Sequence, residues 1–356
     1  MVTTRSRSRA QLRGMAEHFP EELWIQVLSH LGGKDIGRAV CATQVFANVR
    51  ENVWRSACER RWPAWSQVAA SADTQWKRQY ELLELREKEV DAVPCVQAIN
   101  KLQKVVNPRH RMVLTEWLAE VSWDWQLEST ILFKAVSYLD RYLSQHTVEV
   151  LSRFQLVGIA CLRAAMGDTV KRLPVRLTDQ DINLDAQRFA YISDRTYTPE
   201  EVESMTQTVA STTPEHVKDA PNAKMFLRSL WYRAIMSTLL SSDEMHVYTV
   251  ASFFLQLSLL DLSCAAYSPS MVAAASLSNA FELFNKESWP QMLQQYSAYK
   301  TKEVQSCKDR LKEVQATTSA DHLRRIWCSQ HENHGYDEFN EAWAKAQLTL
   351  ACPTHI

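Results

Sequence analysis

The chain has 356 residues, 46% of them apolar and 23% charged, with 40 Lys+Arg against 41 Asp+Glu. At a soft prior of about 150 residues per domain this length gives two or three domains. The proportions exclude wholesale disorder and fibrous repeats, and the balanced charge excludes an overall field that would gather nucleic acid or an anionic membrane. Seven glycines are about 2% of the chain against a usual level near 7%, and tight turns and phosphate loops need glycine. Neither G-x-G-x-x-G nor G-x-x-x-x-G-K-[ST] occurs, so the composition points to helices and away from both phosphate-cradling motifs.

In chain order, residues 1–17 form a basic arm. Arg5, Arg7, Arg9 and Arg13 stand there without the apolar run of a signal peptide, so secretion is not expected. The arm reads either as a nuclear import signal or as a flexible solvated segment, and the expected location is nucleus and cytoplasm. In residues 18–65, Leu23, Val27, Leu28 and Leu31 fall on one face of a short helix that Gly32-Gly33 is expected to end. Ile36, Val40, Cys41, Val45 and Phe46 continue the pattern, and Val53, Trp54, Trp62 and Trp65 add bulk. About 45 residues bury too little apolar surface to be strongly stable alone, so this block is expected to have a partner.

A charged helical linker, residues 66–107, leads to a helical block from Pro108. Leu114, Trp117, Leu118 and Val121 mark one helix and Leu132, Val136, Leu139 and Leu143 the next. A third carries Leu156, Val157, Ala160, Cys161 and Ala164, whose small side chains predict a central position. Thr198-Pro199-Glu200-Glu201 supplies a cap, a proline at the first helical position and an acid at the third, ahead of a buried face of Val202, Met205 and Val209. Two prolines between Thr212 and Pro221 mark a linker. Ser268-Pro269 then repeats the cap-plus-proline device before Met271–Phe284. The apolar stretch Val247–Tyr267 is interrupted by Gln256 and Asp261, which makes it a core helix and not a membrane span. The same all-helical plan is thus used twice, over 108–215 and 222–336, with a tail at 337–356.

The eight cysteines are scattered, several among apolar neighbours, and read as buried thiols of a reducing compartment. Cys328, His331 and His334, with Cys352 and His355 beyond, have metal-like spacing without a paired C-x-x-C, so a solvated C-terminal region is preferred to zinc. No G-x-S-x-G elbow, H-E-x-x-H or cysteine-nucleophile signature occurs. The acid pairs Glu21-Glu22 and Glu200-Glu201 sit in first helical turns, where they favour the macrodipole. No catalysis, metal or cofactor is expected.

Two resemblances add to this. The stretch His18-Phe-Pro-Glu-Glu-Leu-Trp-Ile-Gln-Val-Leu-Ser-His-Leu31, then Lys34-Asp-Ile36, Phe46, Trp54 and Arg61-Trp62 resembles an F-box, a three-helix module that docks on the adaptor of a cullin-RING ubiquitin ligase. Arg111-Met-Val-Leu-Thr-Glu-Trp-Leu-Ala-Glu-Val121, Tyr138-Leu-Asp-Arg-Tyr-Leu-Ser144, Phe154-Gln-Leu-Val-Gly158 and Tyr191-Ile-Ser-Asp-Arg-Thr-Tyr-Thr198 are similar to the first cyclin box of A- and B-type cyclins. Leu257-Ser-Leu-Leu-Asp261, Tyr267-Ser-Pro269 and Ser288-Trp-Pro290 are similar to the second cyclin fold. An F-box ahead of two cyclin folds resembles the F-type cyclins. The implied fold is all-α: a three-helix F-box followed by two tandem five-helix cyclin folds.

The implied function is a substrate-recognition subunit of an SCF-type ubiquitin ligase acting in cell-cycle control. Phe19, Pro20, Leu23, Val27, Leu28, Leu31 and Ile36 would seat the F-box on the adaptor, and adaptor and cullin are the implied partners. Arg111 and Asp140 match the family's buried ion pair. Leu114, Trp117 and Gln155 match the groove that receives substrate peptides with an Arg-x-Leu motif. Where the family grips its kinase with a lysine and a glutamate, this chain has Gly167 and Thr206, which counts against a cyclin-dependent kinase as partner unless Lys171, Arg172 or Glu203 substitutes. The alternatives are a regulatory cyclin that activates such a kinase, and a cyclin-like scaffold that binds neither.

Overall fold

A computed structural model describes residues 20–41, 49–63, 65, 75–89, 93–170, 184–236 and 245–318, and every regular element among them is helical. In chain order these are α1 (Glu21–Leu28), α2 (Gly33–Val40), α3 (Arg50–Arg61), α4 (Trp76–Glu89), α5 (Val96–Leu102), α6 (Pro108–Asp124), α7 (Ser129–Gln145), α8 (Phe154–Val170), α9 (Ala186–Tyr191), α10 (Pro199–Thr212), α11 (Glu215–Lys218), α12 (Ala223–Met236), α13 (Met245–Leu260), α14 (Pro269–Leu283), α15 (Gln291–Ser297) and α16 (Thr301–Thr317). Short 3-10 turns lie at Leu151–Arg153 and Leu262–Ala266. The chain forms two compact units. The first holds the described residues up to Glu87 together with Gln294–Ala298, and the second holds the rest.

The first unit is built around aromatic side chains. Trp54 and Trp62 meet the Tyr80 ring edge-on at 5.2 and 5.0 Å, an arrangement that suits the ring quadrupoles. Arg61 lies over Trp62 at 4.8 Å and donates to Tyr80 Oη at 2.7 Å and to Glu87 at 2.6 Å. Residues 294–298 join this core through their backbone: Gln79 Nε2 donates to Tyr296 O at 2.8 Å and Trp65 Nε1 to Gln295 O at 3.3 Å. The glycine pair does not end α1, which stops at Leu28. Gly32 is instead the extended N-cap of α2 (φ −71°, ψ 158°), and no glycine among the described residues has a positive φ. Gly33 is small for packing reasons, since a Cβ there would stand 2.8 Å from the Tyr80 ring.

The second unit contains two tandem cyclin folds, α6–α10 and α12–α16, except for the part of α15 from Gln294 onward, which belongs to the first unit. In each the third helix is the hub: α8 packs on α6, α7 and α10, and α14 packs on α12, α13 and α16. Both hubs are rich in small buried residues, Gly158, Ala160, Cys161 and Ala165 in one and Ala273, Ala274, Ala275 and Ser276 in the other, which lets several neighbours approach at close-packed density. The caps at Thr198 and Ser268 form, the first as a full capping box with Glu201. Asn107 and His110 make another that the sequence reading did not single out.

Buried polar clamps tie the loops down. Gln103 donates to Leu143 O and His146 O at 2.7 Å each and accepts from Val148 N–H at 3.1 Å. The buried Glu89 carboxylate accepts the Ser270 N–H at 2.8 Å and its hydroxyl at 2.5 Å. Four of the six described cysteines are buried, and burial pushes the Cys58 and Cys264 thiols up to about 12. Among the described residues no helix is long and apolar enough to cross a membrane, and no cluster suited to a metal occurs. The Cys328/His331/His334 spacing, the arginine arm and the C-terminal tail lie outside them.

Lys224 is a costly residue of this unit. Only 8% exposed, its ammonium bonds to Ser252 Oγ at 2.8 Å and lies 4.9 Å from the Tyr248 ring. Burial first, and the nearby Arg228 second, pull its pKa from 10.5 down to about 8. Between those values the unfolded chain holds more protons than the folded one, so stability rises with pH across that window and the penalty is fully present below it. Replacing Lys224 by Met is expected to stabilise the protein at pH 7 by roughly 1–3 kcal/mol, with the advantage shrinking toward pH 10. Paired thermal melts over that range check this, and an unchanged or lower melting point at pH 7 would count against it.

Candidate interaction sites

Arg111 on α6 and Asp140 on α7 meet in the interior of the second unit. The guanidinium reaches both carboxylate oxygens, Nε to Oδ1 at 2.5 Å and Nη2 to Oδ2 at 2.6 Å, with both side chains almost fully buried. Burial opposes the charge of Arg111, but attraction and hydrogen bonding to Asp140 outweigh it and hold the pKa above the ordinary value. The remaining nitrogen, Nη1, donates to Leu259 O of α13 at 2.7 Å. One side chain therefore joins two helices of the first cyclin fold to a helix of the second. Beside it lies a mainly apolar cavity of about 110 Å³ lined by Phe133, Ser137, Val217, Pro221, Ser258 and Cys264 among others.

Leu114 and Trp117 lie on α6 and Gln155 at the start of α8. Leu114 is buried against Gly158, where a Cβ would stand 2.8 Å from Leu114 Cδ1. Trp117 and Gln155 are half-buried at the edge, and Val113, Val150 and Leu151 are exposed. The glycine thus lets α6 and α8 close on each other over the buried Leu114, while Trp117 and Gln155 remain partly accessible.

On α8 and α10, Gly167 is half-buried with only Leu184 near its missing Cβ, at 3.8 Å. Thr206 turns its hydroxyl back to Val202 O at 2.8 Å. One turn before each, however, Arg163 and Glu203 form an ion pair at 2.7 Å across the same two helices, and Arg163 also donates to Leu184 O at 2.9 Å. Glu203 is 46% exposed. Lys171 and Arg172 lie outside the described residues.

On α1 the expected single apolar face divides. Leu28 is buried, as is Ile36 of α2, whereas Leu23, Val27 and Leu31 are 45%, 57% and 37% exposed. Pro20 is exposed as the N-cap of α1, and Phe19 lies outside the described residues.

Comparison with known proteins gives this geometry a family. The cyclin N-terminal domain model matches residues 81–212 and the cyclin C-terminal domain model residues 221–340. Cyclin-A1-4 of Oryza sativa subsp. japonica is 30% identical over 254 residues, 71% of this chain and 67% of that protein. The chain belongs to the cyclin family. It is also 33% identical to Cyclin-A1-2 of the same plant over 63% of its own length, and 31% identical to Cyclin-A1-1 of Arabidopsis thaliana over 67%. The chain spans under half the length of both these cyclins, 45% and 48%. Among solved structures a viral cyclin from herpesvirus saimiri superposes with a TM-score of 0.53 at 21% identity, covering 65% of this chain and 97% of that one, a likeness of fold.

These relatives correct the functional expectation. A substrate receptor of an SCF-type ligase, with adaptor and cullin as partners and a kinase discounted, does not agree with a chain whose relatives are A-type cyclins; they support a regulatory cyclin. The ligase reading rested on the local pattern around α1 and counted the charges missing at Gly167 and Thr206 against a kinase, whereas the two cyclin folds occupy most of the chain. The cyclins, the family to which this chain belongs, are non-enzymatic regulatory subunits.

The Arg111–Asp140 pair offers a sharp test of the cyclin core. Asp140→Ala leaves a buried guanidinium without its counter-charge and is expected to cost about 3–5 kcal/mol, while replacing both partners by apolar residues of similar size costs less. Urea unfolding of the full chain followed by circular dichroism reads the difference, and a double variant as unstable as the single one would contradict it.

Proposed function

We propose that this cyclin is the regulatory, activating subunit of a cyclin-dependent kinase. The observation that carries the reading is the pair of tandem cyclin folds with A-type relatives over most of the chain. The kinase would be gripped on the α8–α10 face, with Arg163 and Glu203 supplying the opposite charges that Gly167 and Thr206 do not. Their 2.7 Å separation and the exposure of Glu203 support this, since a polarised pair of this kind can bond the backbone or charged side chains of a docked helix. Displacement by one turn on both helices keeps the pair together while shifting where it meets the partner. Leu114, Trp117 and Gln155 are proposed as the docking groove for short apolar peptides of the kinase's substrates, an aromatic wall beside an amide being suited to a leucine and its backbone. The resemblance of residues 18–65 to a three-helix F-box is retained as a proposal about fold alone.

Mixing the full chain with a purified monomeric cyclin-dependent kinase tests the reading. A co-eluting complex with raised phosphorylation of a peptide substrate is expected. Arg163→Ala with Glu203→Ala is expected to weaken the complex by about tenfold, or ~1.4 kcal/mol, without lowering the melting point of the cyclin by more than a few degrees. Absence of a complex with any of several such kinases at micromolar concentration would refute the proposal, and unchanged affinity of the double variant would reject the charge-pair assignment.

A further inference from the structure

The sequence contains three Ser/Thr-Pro dipeptides, Thr198-Pro199, Thr213-Pro214 and Ser268-Pro269, and the fold distinguishes sharply among them. Thr213 is buried, and its hydroxyl donates to Val209 O at 3.1 Å. Ser268 is half-buried and engaged with Tyr299 Oη at 3.2 Å, in the same polar network as Ser270 and Glu89. Thr198 alone of the three is exposed. Its backbone is extended (φ −80°, ψ 158°), and Asp194, Arg195 and Thr196 just before it are also exposed. A kinase selective for a hydroxyl followed by proline needs an accessible side chain, and Thr198 provides it at a single extended residue between a turn, where Asp194 and Arg195 have positive φ, and the first turn of α10.

We infer that Thr198 is a phosphorylation site for a proline-directed protein kinase. In the transfer the Thr198 Oγ1 attacks the γ-phosphorus of ATP. The new Oγ1–P bond forms as the P–O bond to ADP breaks, and the hydroxyl proton leaves to the kinase's base.

The surroundings show what the added charge would meet. Thr198 Oγ1 now accepts the Glu201 N–H at 3.2 Å, and the Glu201 carboxylate returns the bond to Thr198 N–H at 3.0 Å. Glu201 also lies 3.5 Å from Arg153, a well-exposed side chain on the 3-10 turn that leads into α8. A phosphate on Oγ1 would repel Glu200 and Glu201 and offer Arg153 a stronger, doubly charged partner. The expected rearrangement is that Arg153 leaves Glu201 for the phosphate. That draws the start of α10 toward the Leu151–Arg153 turn, where Tyr197 Oη already donates to Ser152 O. Because α10 also carries Glu203, the modification would act on the face assigned above to the kinase. This regulatory consequence rests on the proposed function; the site itself does not.

The test uses the full chain, ATP and a free proline-directed kinase that is not a cyclin partner, with mass-spectrometric mapping, alongside a short peptide spanning residues 192–204. Phosphate at Thr198 in the folded chain, lost in Thr198→Val and reduced by an order of magnitude in Pro199→Ala, is the expected result. Phosphorylation of the peptide without phosphorylation of the folded chain would overturn the inference, as would labelling that persists in Thr198→Val at a neighbouring residue. Comparing kinase binding by the phosphorylated chain and by a phosphorylated Arg153→Ala variant then reads the consequence. Labelling of Thr198 without any kinase complex would leave the site standing and remove the proposed function instead.

Discussion

The buried bidentate pair between Arg111 and Asp140 is the interaction on which the second unit depends. Two charges removed from water cost several kcal/mol each, and the loss is offset only when geometry and further hydrogen bonds are nearly complete. Here both carboxylate oxygens are used and the third nitrogen of the guanidinium bonds to Leu259 O. That last bond changes the meaning of the pair. A salt bridge between α6 and α7 alone would stabilise one fold, whereas a guanidinium satisfied only when α13 is also in place makes correct association of the two folds a condition for burying the charge at all. The cost of the buried arginine thereby becomes a penalty on misassembled states.

Around that point the two folds solve the same packing problem in the same way. A helix touched on three sides needs a thin surface, and α8 and α14 obtain it from alanine, serine, cysteine and the buried Gly158. Glycine in a helix interior costs about 0.5–1 kcal/mol relative to alanine, and Gly158 is retained where α6 comes too near for a Cβ, with Leu114 only 2.8 Å from that position. The small-residue hub therefore sets how closely α6 and α8 approach at Leu114 and Gly158.

How legible these features were in the sequence follows from their range. The hub helices, the Thr198 and Ser268 caps and the buried face of α10 depend on residues within a turn or two of each other, so spacing alone revealed them. Spacing identifies which residues share a stripe but not which stripe meets the core. That is why Leu23, Val27 and Leu31 were grouped with Leu28 although only Leu28 is buried. The glycine pair misled for a related reason: a helix-ending glycine and a glycine made necessary by the Tyr80 ring, 47 residues on in sequence, look the same in one dimension. The bonds from Arg111 to Leu259 and from Glu89 to Ser270 join residues 148 and 181 positions apart, and no local pattern announces such partners.

The same distinction explains the correction to function. Gly167 and Thr206 were read as missing charges because each was judged at its own position. In three dimensions the chemistry is a property of the α8–α10 surface. Arg163 and Glu203 put a close ion pair on it one turn away, since positions three or four apart on a helix lie on the same face. A charge moved along the same face by a turn is displaced by about 5.4 Å, a distance that a docking helix can follow by sliding along its own axis. Under the kinase reading proposed above, keeping the charges and mutual contact of the pair while moving its location would change the docking register. The absence of charge at Gly167 and Thr206 is therefore compatible with a regulatory cyclin.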